Sequence, residues 1–149
     1  MDIRFERLQE ADLEETQQMC IRAFDESYPS DSVKRVYRRF KDDPHYYFIV
    51  GKVGGEIAAY TTMAVLYDLF DGENPIATLW YVCVDEKFRR QGIAGEMLHY
   101  LENIAVEMGC EMMVLTCNVN NTGAHELYRS MGFSDSIDKA FVKYLDEPR

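Results

Sequence analysis

Ile3, Phe5 and Leu8 open the chain in short alternation, which predicts a strand. Asp12 then stands where it can cap a helix in which Leu13, Thr16, Cys20 and Phe24 fall near helical spacing. Residues 24–30 read as a loop, and Ser30 or Asp31 can cap a second helix whose Val33, Val36, Tyr37 and Phe40 follow the i, i+3, i+4, i+7 template of one buried face. Asp43-Pro44 ends it. The run Tyr46 to Lys52 is rich in aromatic and β-branched residues, and Gly54-Gly55 supplies a tight turn into Ile57 to Tyr67, so the two runs predict a β-hairpin. After the acidic segment Asp68 to Pro75, Ile76 to Val84 is a third long strand. Its blurred alternation is that of a central strand with protein on both faces.

From Gly92 to Met108 the apolar positions Ile93, Ala94, Met97, Leu98, Leu101, Ile104, Ala105 and Met108 track one helical face, and Gly109 sits where a C-terminal glycine belongs. Met112 to Cys117 predicts a short buried strand. A helix follows from about Thr122, with Ala124, Leu127, Tyr128 and Met131 on one face and Gly132 at its end. Phe133 and the alternating Phe141 to Leu145 predict two final strands. The expected fold is thus α/β (α+β): a mixed central sheet of about six to seven strands flanked by about four helices, in a single domain over 1–149. No repeat or low-complexity linker interrupts it.

Composition narrows the function classes. A 149-residue chain with 47% apolar residues can build one sizeable core without metal or disulfide staples. Its formal charge of −10 repels phosphodiester backbones, which argues against nucleic acid, and attracts cationic small molecules or basic peptides. Cys20, Cys83, Cys110 and Cys117 form no C-x-x-C pair and have no histidine at zinc-finger spacing, so no metal site is signalled and a reducing compartment fits. The absence of a signal-like N-terminus and of a membrane-length apolar run makes the cytoplasm the expected location.

Chemistry concentrates where the third strand gives way to the longest helix, at Arg89-Arg90-Gln91-Gly92-Ile93-Ala94-Gly95. A helix N-terminus presents unpaired N–H groups and about +0.5 of an elementary charge, a natural seat for phosphate. Gly92, Ala94 and Gly95 remove bulk where the phosphate must come close, and the two arginines add charge. A dinucleotide site competes for the same signal, but G-x-G-x-x-G after a first strand is not what stands here.

A second signal is Asn121-Thr122-Gly123-Ala124-His125-Glu126-Leu127-Tyr128-Arg129-Ser130-Met131-Gly132-Phe133. With it the chain resembles the GNAT family, the Gcn5-related N-acetyltransferases. Arg89-x-x-Gly92-x-Ala94 matches that family's R/Q-x-x-G-x-G/A acetyl-CoA motif, and Asn121-x-x-Ala124-x-x-x-Tyr128-x-x-x-Gly132-Phe133 matches its second motif, about 30 residues on. The resemblance implies transfer of the acetyl group of acetyl-CoA to a primary amine, by direct attack through a tetrahedral intermediate and without a metal. The strand before the turn would carry a bulge and splay from its neighbour, leaving room for the pantetheine arm. The Val82 N–H would hold the acetyl oxygen and Val84 the pantetheine. The pyrophosphate would rest on Arg89, Arg90, Gln91, Gly92, Ile93, Ala94 and Gly95. Tyr128, a phenol of reference pKa about 10, would protonate the departing thiolate. Asn121 would bond the cofactor arm or else cap its helix.

The acceptor amine and its general base are open. Asp25 or Glu26, Asp68, Asp71 or Glu73, and a water relay are the candidates for the base. His45, His99 and His125 read as structural or surface residues. By family analogy the segments 25–31 and 134–139 wall the acceptor pocket, where Tyr28 with Asp25 and Glu26 suits an amine with an apolar body. An acyl-CoA-binding sensor or partner module is the competing function. A homodimer is compatible with exposed tyrosines and the acidic loop, though no symmetric signature marks one.

Overall fold

A computed structural model describes residues 2–70 and 72–146. The elements run β1 (Ile3–Arg7), α1 (Leu13–Phe24), α2 (Ser30–Phe40), β2 (Tyr46–Val53), β3 (Glu56–Leu66), β4 (Ile76–Val84), α3 (Ile93–Glu107), β5 (Met112–Leu115) and α4 (Thr122–Ser130). The chain divides into two compact units, Met1–Leu115 and Thr116–Arg149.

In the first unit the strands lie in sequence order, antiparallel from β1 to β4. β5 then joins β4 in parallel, a pairing that needs a crossover, and α3 provides it. The β2–β3 hairpin closes on Gly54 and Gly55, both left-handed (φ +58° and +82°), as a two-residue turn that follows the strand twist requires.

Period two along β2 divides the core between the two faces of the sheet. Phe48 and Val50 point to one side, where they pack with Leu13, Met19 and Cys20 of α1 and Tyr37 of α2. Gly51 points to the other, against Phe5, whose ring meets Tyr100 of α3 at 5.5 Å. Met63 and Leu79, paired across β3 and β4, are fully buried, as are Met97, Leu98 and Leu101 of α3. Helices therefore cover both faces.

Some expectations fail for identifiable reasons. Asp12 precedes α1 without capping it; its carboxylate pairs at 2.9 Å with Lys52, which also holds Glu6 at 2.9 Å. An ion pair with two carboxylates competes successfully for the side chain. The residue before α2 is Pro29, with no side-chain cap, and of the expected apolar face only Tyr37 is buried while Val36 is half-exposed.

In the second unit α4 is followed by irregular chain. Phe133 and Phe141 to Leu145, expected as final strands, form none among the described residues, and Phe141 and Leu145 are more than nine-tenths exposed. The described sheet has five strands rather than six or seven. Alternation marks a segment with two faces, but it becomes a strand only where a neighbour takes its backbone hydrogen bonds.

Candidate active site

β4 is interrupted at the point expected to serve the acetyl group. Thr62 pairs with Trp80 and Tyr60 with Cys83, so that Tyr81 and Val82 together oppose the single residue Thr61. This is a β-bulge on β4. Tyr81 takes up the extra residue in a left-handed conformation (φ +57°), which costs about 1–3 kcal/mol for a residue with a side chain. The Thr61 hydroxyl donates to the Trp80 carbonyl at 3.0 Å and fixes the peptide that enters the bulge. One added residue also reverses which side chains face α1. Trp80 and Cys83 share that face, although regular alternation would separate them.

Just before the bulge, the strand also leaves its other neighbour. β5 pairs only with Ile76 to Leu79, so residues 80–84 of β4 continue past the end of that ladder. Trp80 and Tyr81 are about half-exposed there. Val82 and Val84, both partly buried, lie on this stretch.

β4 ends in a short helical turn, residues 86–88, and the phosphate candidate follows. The Arg89 guanidinium Nε donates to the Val84 carbonyl at 3.2 Å, so this side chain braces the strand end. Arg90 and Gly92 are both left-handed (φ +65° and +78°). Gly92 is the N-terminal cap of α3, and no side chain there accepts from the first turn; a Cβ on Gly92 would meet nothing within 4 Å. The first N–H groups of α3 thus have no side-chain acceptor, and the space beside Gly92 at this positive helix end is open. Arg89, Arg90, Gln91 and Gly92 are exposed, Ala94 and Gly95 partly so, and Ile93 is buried as the anchor of the turn.

Aromatic residues gather on the α1 side of the bulge. Tyr81 meets Phe24 edge-on at 5.3 Å and Tyr28 at 6.4 Å. The Tyr28 hydroxyl donates to Glu26 at 3.1 Å, and Gln17 of α1 donates to the Tyr28 carbonyl at 2.8 Å, tying this loop to the helix. Burial, with the Glu26 carboxylate beside it, holds the Tyr28 phenol well above the usual tyrosine range, and burial raises Tyr60 likewise. Both stay protonated. Cys20 of α1 and Cys83 of β4 are both buried, and the neighbouring Cys83 thiol together with burial keeps Cys20 protonated. Phe24 was read only as part of a helix face, and Tyr60, Thr61 and Tyr81 carried no sequence signal, since periodicity does not reveal a bulge.

The remaining candidate bases occupy exposed loops. Asp25 is left-handed at the end of α1, Asp68 accepts from the Phe70 N–H, and Glu73 is exposed; Asp71 lies outside the described residues. His125 bonds the Asn118 carbonyl at 2.8 Å, a structural role. His99 is exposed on α3, and His45 stands beside Asp43 and the ring of Tyr67.

In the second unit the spacing of the other motif has a local cause. Asn121 caps α4, its side-chain oxygen accepting from the Ala124 N–H at 3.2 Å. At the other end Gly132 is left-handed (φ +93°), its N–H bonds the Arg129 carbonyl and the Phe133 N–H bonds the Tyr128 carbonyl, each at 3.0 Å. That is a Schellman motif, and the Tyr128 and Phe133 rings supply its apolar contact, edge-on at 6.0 Å. Tyr128 is partly buried; burial, with a smaller contribution from Cys117, pushes its phenol up to about 12. Segment 134–139 is exposed, with Asp135 paired to Arg129 at 2.6 Å. No group of His, Cys, Asp or Glu among the described residues could hold a metal ion, and no described helix is long and apolar enough to cross a membrane.

Comparison with known proteins bears on the family and the fold of the chain. The chain is 35% identical over 86 residues to GCN5-related N-acetyltransferase 4, chloroplastic, of Arabidopsis thaliana, a match covering 53% of this chain and 30% of that one. It is 26% identical over 109 residues to aminoglycoside N(6')-acetyltransferase type 1 of Serratia marcescens, covering 71% and 75%. The chain thus spans about a third of the first relative and three quarters of the second. Among solved structures, a transcriptional regulator from Bacillus halodurans C-125 superposes with a TM-score of 0.86 over 96% of this chain and all of that one, at 24% identity. The model of the acetyltransferase (GNAT) family matches residues 11–133, from just before α1 to the phenylalanine that closes α4, and the chain belongs to that family.

Proposed function

We propose that the protein is an acetyl-CoA-dependent N-acetyltransferase, working in the cytoplasm as one functional domain. The observation that carries this reading is the construction of β4. A bulged strand that outruns its parallel neighbour leads, through a short turn, into a helix N-terminus that has no side-chain cap and is preceded by Arg89 and Arg90. An extended thioester arm and a pyrophosphate fit those two features in that order. Val84 is assigned to the arm, the Val82 N–H to the acetyl oxygen, and residues 89–95 to the phosphates.

The amine nitrogen attacks the thioester carbonyl, and the C–S bond breaks as the C–N bond forms. The ammonium form of the acceptor gives up two protons: one is matched by the proton that converts thiolate to thiol, the other goes to solvent. A backbone donor aimed at the oxygen stabilises the charge that develops on it. Tyr128 is assigned as the proton donor to the thiolate, supported by its place in the family motif and by a phenol that stays protonated. Asn121 is given the structural role of cap. The four free cysteines accord with a reducing compartment.

Calorimetry with acetyl-CoA, coenzyme A and NAD tests the first half, and thiol release in an amine screen tests the second. Binding of acetyl-CoA with no transfer to any amine would favour the sensor module. Binding of NAD in preference to coenzyme A would refute both.

A further inference from the structure

Within the first unit a cavity of about 380 Å³ opens beside the β4 bulge, walled by α1, α2 and strands β2 to β4. Tyr81 forms part of its wall, and the next residue is Val82. The volume is at the small end of the range for ligand pockets, about 300–1,000 Å³. We infer that this cavity receives the body of the acceptor, and that the acceptor is a primary monoamine carried on one apolar, ring-sized group. The inference rests on the acetyl-transfer reading and specifies its substrate class.

The wall chemistry supports the assignment. Leu13, Val33, Val36, Phe48 and the rings of Tyr60 and Tyr81 give an apolar lining, and no carboxylate stands in it. The polar groups of the wall are largely spent on the protein. Thr16 donates to the Asp12 carbonyl, Gln17 to that of Tyr28, Tyr37 to that of Leu8, and Tyr60 shares a 2.6 Å bond with Thr62. A sugar or a second ammonium placed here would lose its water and find few partners, an expense that discriminates strongly against polar bodies. The Tyr28 hydroxyl of the wall donates to the Glu26 carboxylate, which can pair with the ammonium of the acceptor. The net charge of −10 attracts cations in general, but the cavity selects those whose body is apolar.

The test is thiol release at fixed acetyl-CoA with 2-phenylethylamine, ethylamine, spermidine, kanamycin and an alanine-initiated peptide. The expected result is a kcat/KM for 2-phenylethylamine at least tenfold above every other amine, because a buried ring adds transfer free energy that the others lack. Val36→Glu, at a half-exposed wall position that folding tolerates, should lower that value about tenfold and leave coenzyme A binding unchanged. Faster transfer to kanamycin, spermidine or the peptide would overturn the acceptor assignment while the transfer reading stands. Failure to bind acetyl-CoA would refute the transfer reading instead. In either case, amide NMR titration with 2-phenylethylamine reads the pocket directly: shifts at Tyr28, Val33, Tyr60 and Tyr81 support the inference, and their absence at millimolar amine overturns it.

Discussion

Gly92→Ala separates the backbone demand of the phosphate turn from its demand for space. At φ +78° an alanine pays for the left-handed conformation, about 1–2 kcal/mol, and nothing within 4 Å of its Cβ adds a clash in the free protein. Part of that is offset by the lower entropy of the unfolded alanine chain, leaving about 1 kcal/mol. In a domain of this size the melting temperature should fall by about 2–4 °C. Gly109 provides the control, being left-handed at the same φ of +78° at the other end of the same helix, where a Cβ would make only an ordinary 3.9 Å contact with the Glu73 carbonyl. Fifteen residues of helix separate the two ends by about 22 Å. The two variants should therefore melt alike. They should differ in affinity, because at Gly92 the added methyl occupies the space in front of the helix N-terminus. Losing one charge-assisted hydrogen bond there, about 1.5 kcal/mol or more, raises Kd for coenzyme A at least tenfold. Calorimetric titration of both variants measures this. Equal coenzyme A affinity for Gly92→Ala and Gly109→Ala would show that the phosphates do not sit on this turn.

Further outcomes test the remaining assignments. Tyr128→Phe should lower kcat about 100-fold with the KM for acetyl-CoA unchanged, the signature of a lost proton donor, and steady-state kinetics will show it. In an ultraviolet titration of the folded protein, Tyr128 should ionise near pH 12 against a reference of about 10. Between those values the native state keeps a proton that the unfolded chain has lost, so stability measured by denaturant should fall as pH rises through that window. Asn121→Ala, which removes the α4 cap, should cost about 1 kcal/mol in the same assay. Leu101→Ala, at a fully buried position of α3, should cost about 3 kcal/mol without changing the KM for acetyl-CoA.

Where local physics decides, the sequence was readable. Ile76 to Val84 and the start of α4 at Thr122 fall where pattern and capping chemistry place them, and the Gly54-Gly55 hairpin follows from the need for two left-handed residues. The spacing Asn121, Ala124, Tyr128, Gly132, Phe133 marks the family because it is also the spacing of an N-terminal cap and a Schellman motif. What could not be read depends on contacts distant in sequence. Asp12 carried the residue type of a cap but was claimed by Lys52, forty positions away. Phe141 to Leu145 had the alternation of a strand, yet no ladder forms there among the described residues. The left-handed Tyr81 and Arg90 carry no signal in residue type, and the apolar cavity emerges only when α1, α2 and β4 are assembled.

On the proposed assignment of the Val82 N–H to the acetyl oxygen, the bulge at Tyr81 and Val82 links activity to foldability, which bears on how the protein can change. Deleting one residue there would regularise the strand, and it would also turn Cys83 out of the core beneath α1 and drive its neighbour in. The same step that erased the site would invert the buried face of the strand from that point to its end. A lineage can therefore lose Tyr128 or the arginines of the turn and keep a folded domain, but it cannot easily straighten β4. The strand defect should outlast the chemistry in descendants that no longer catalyse anything, and its persistence says little about whether they still do.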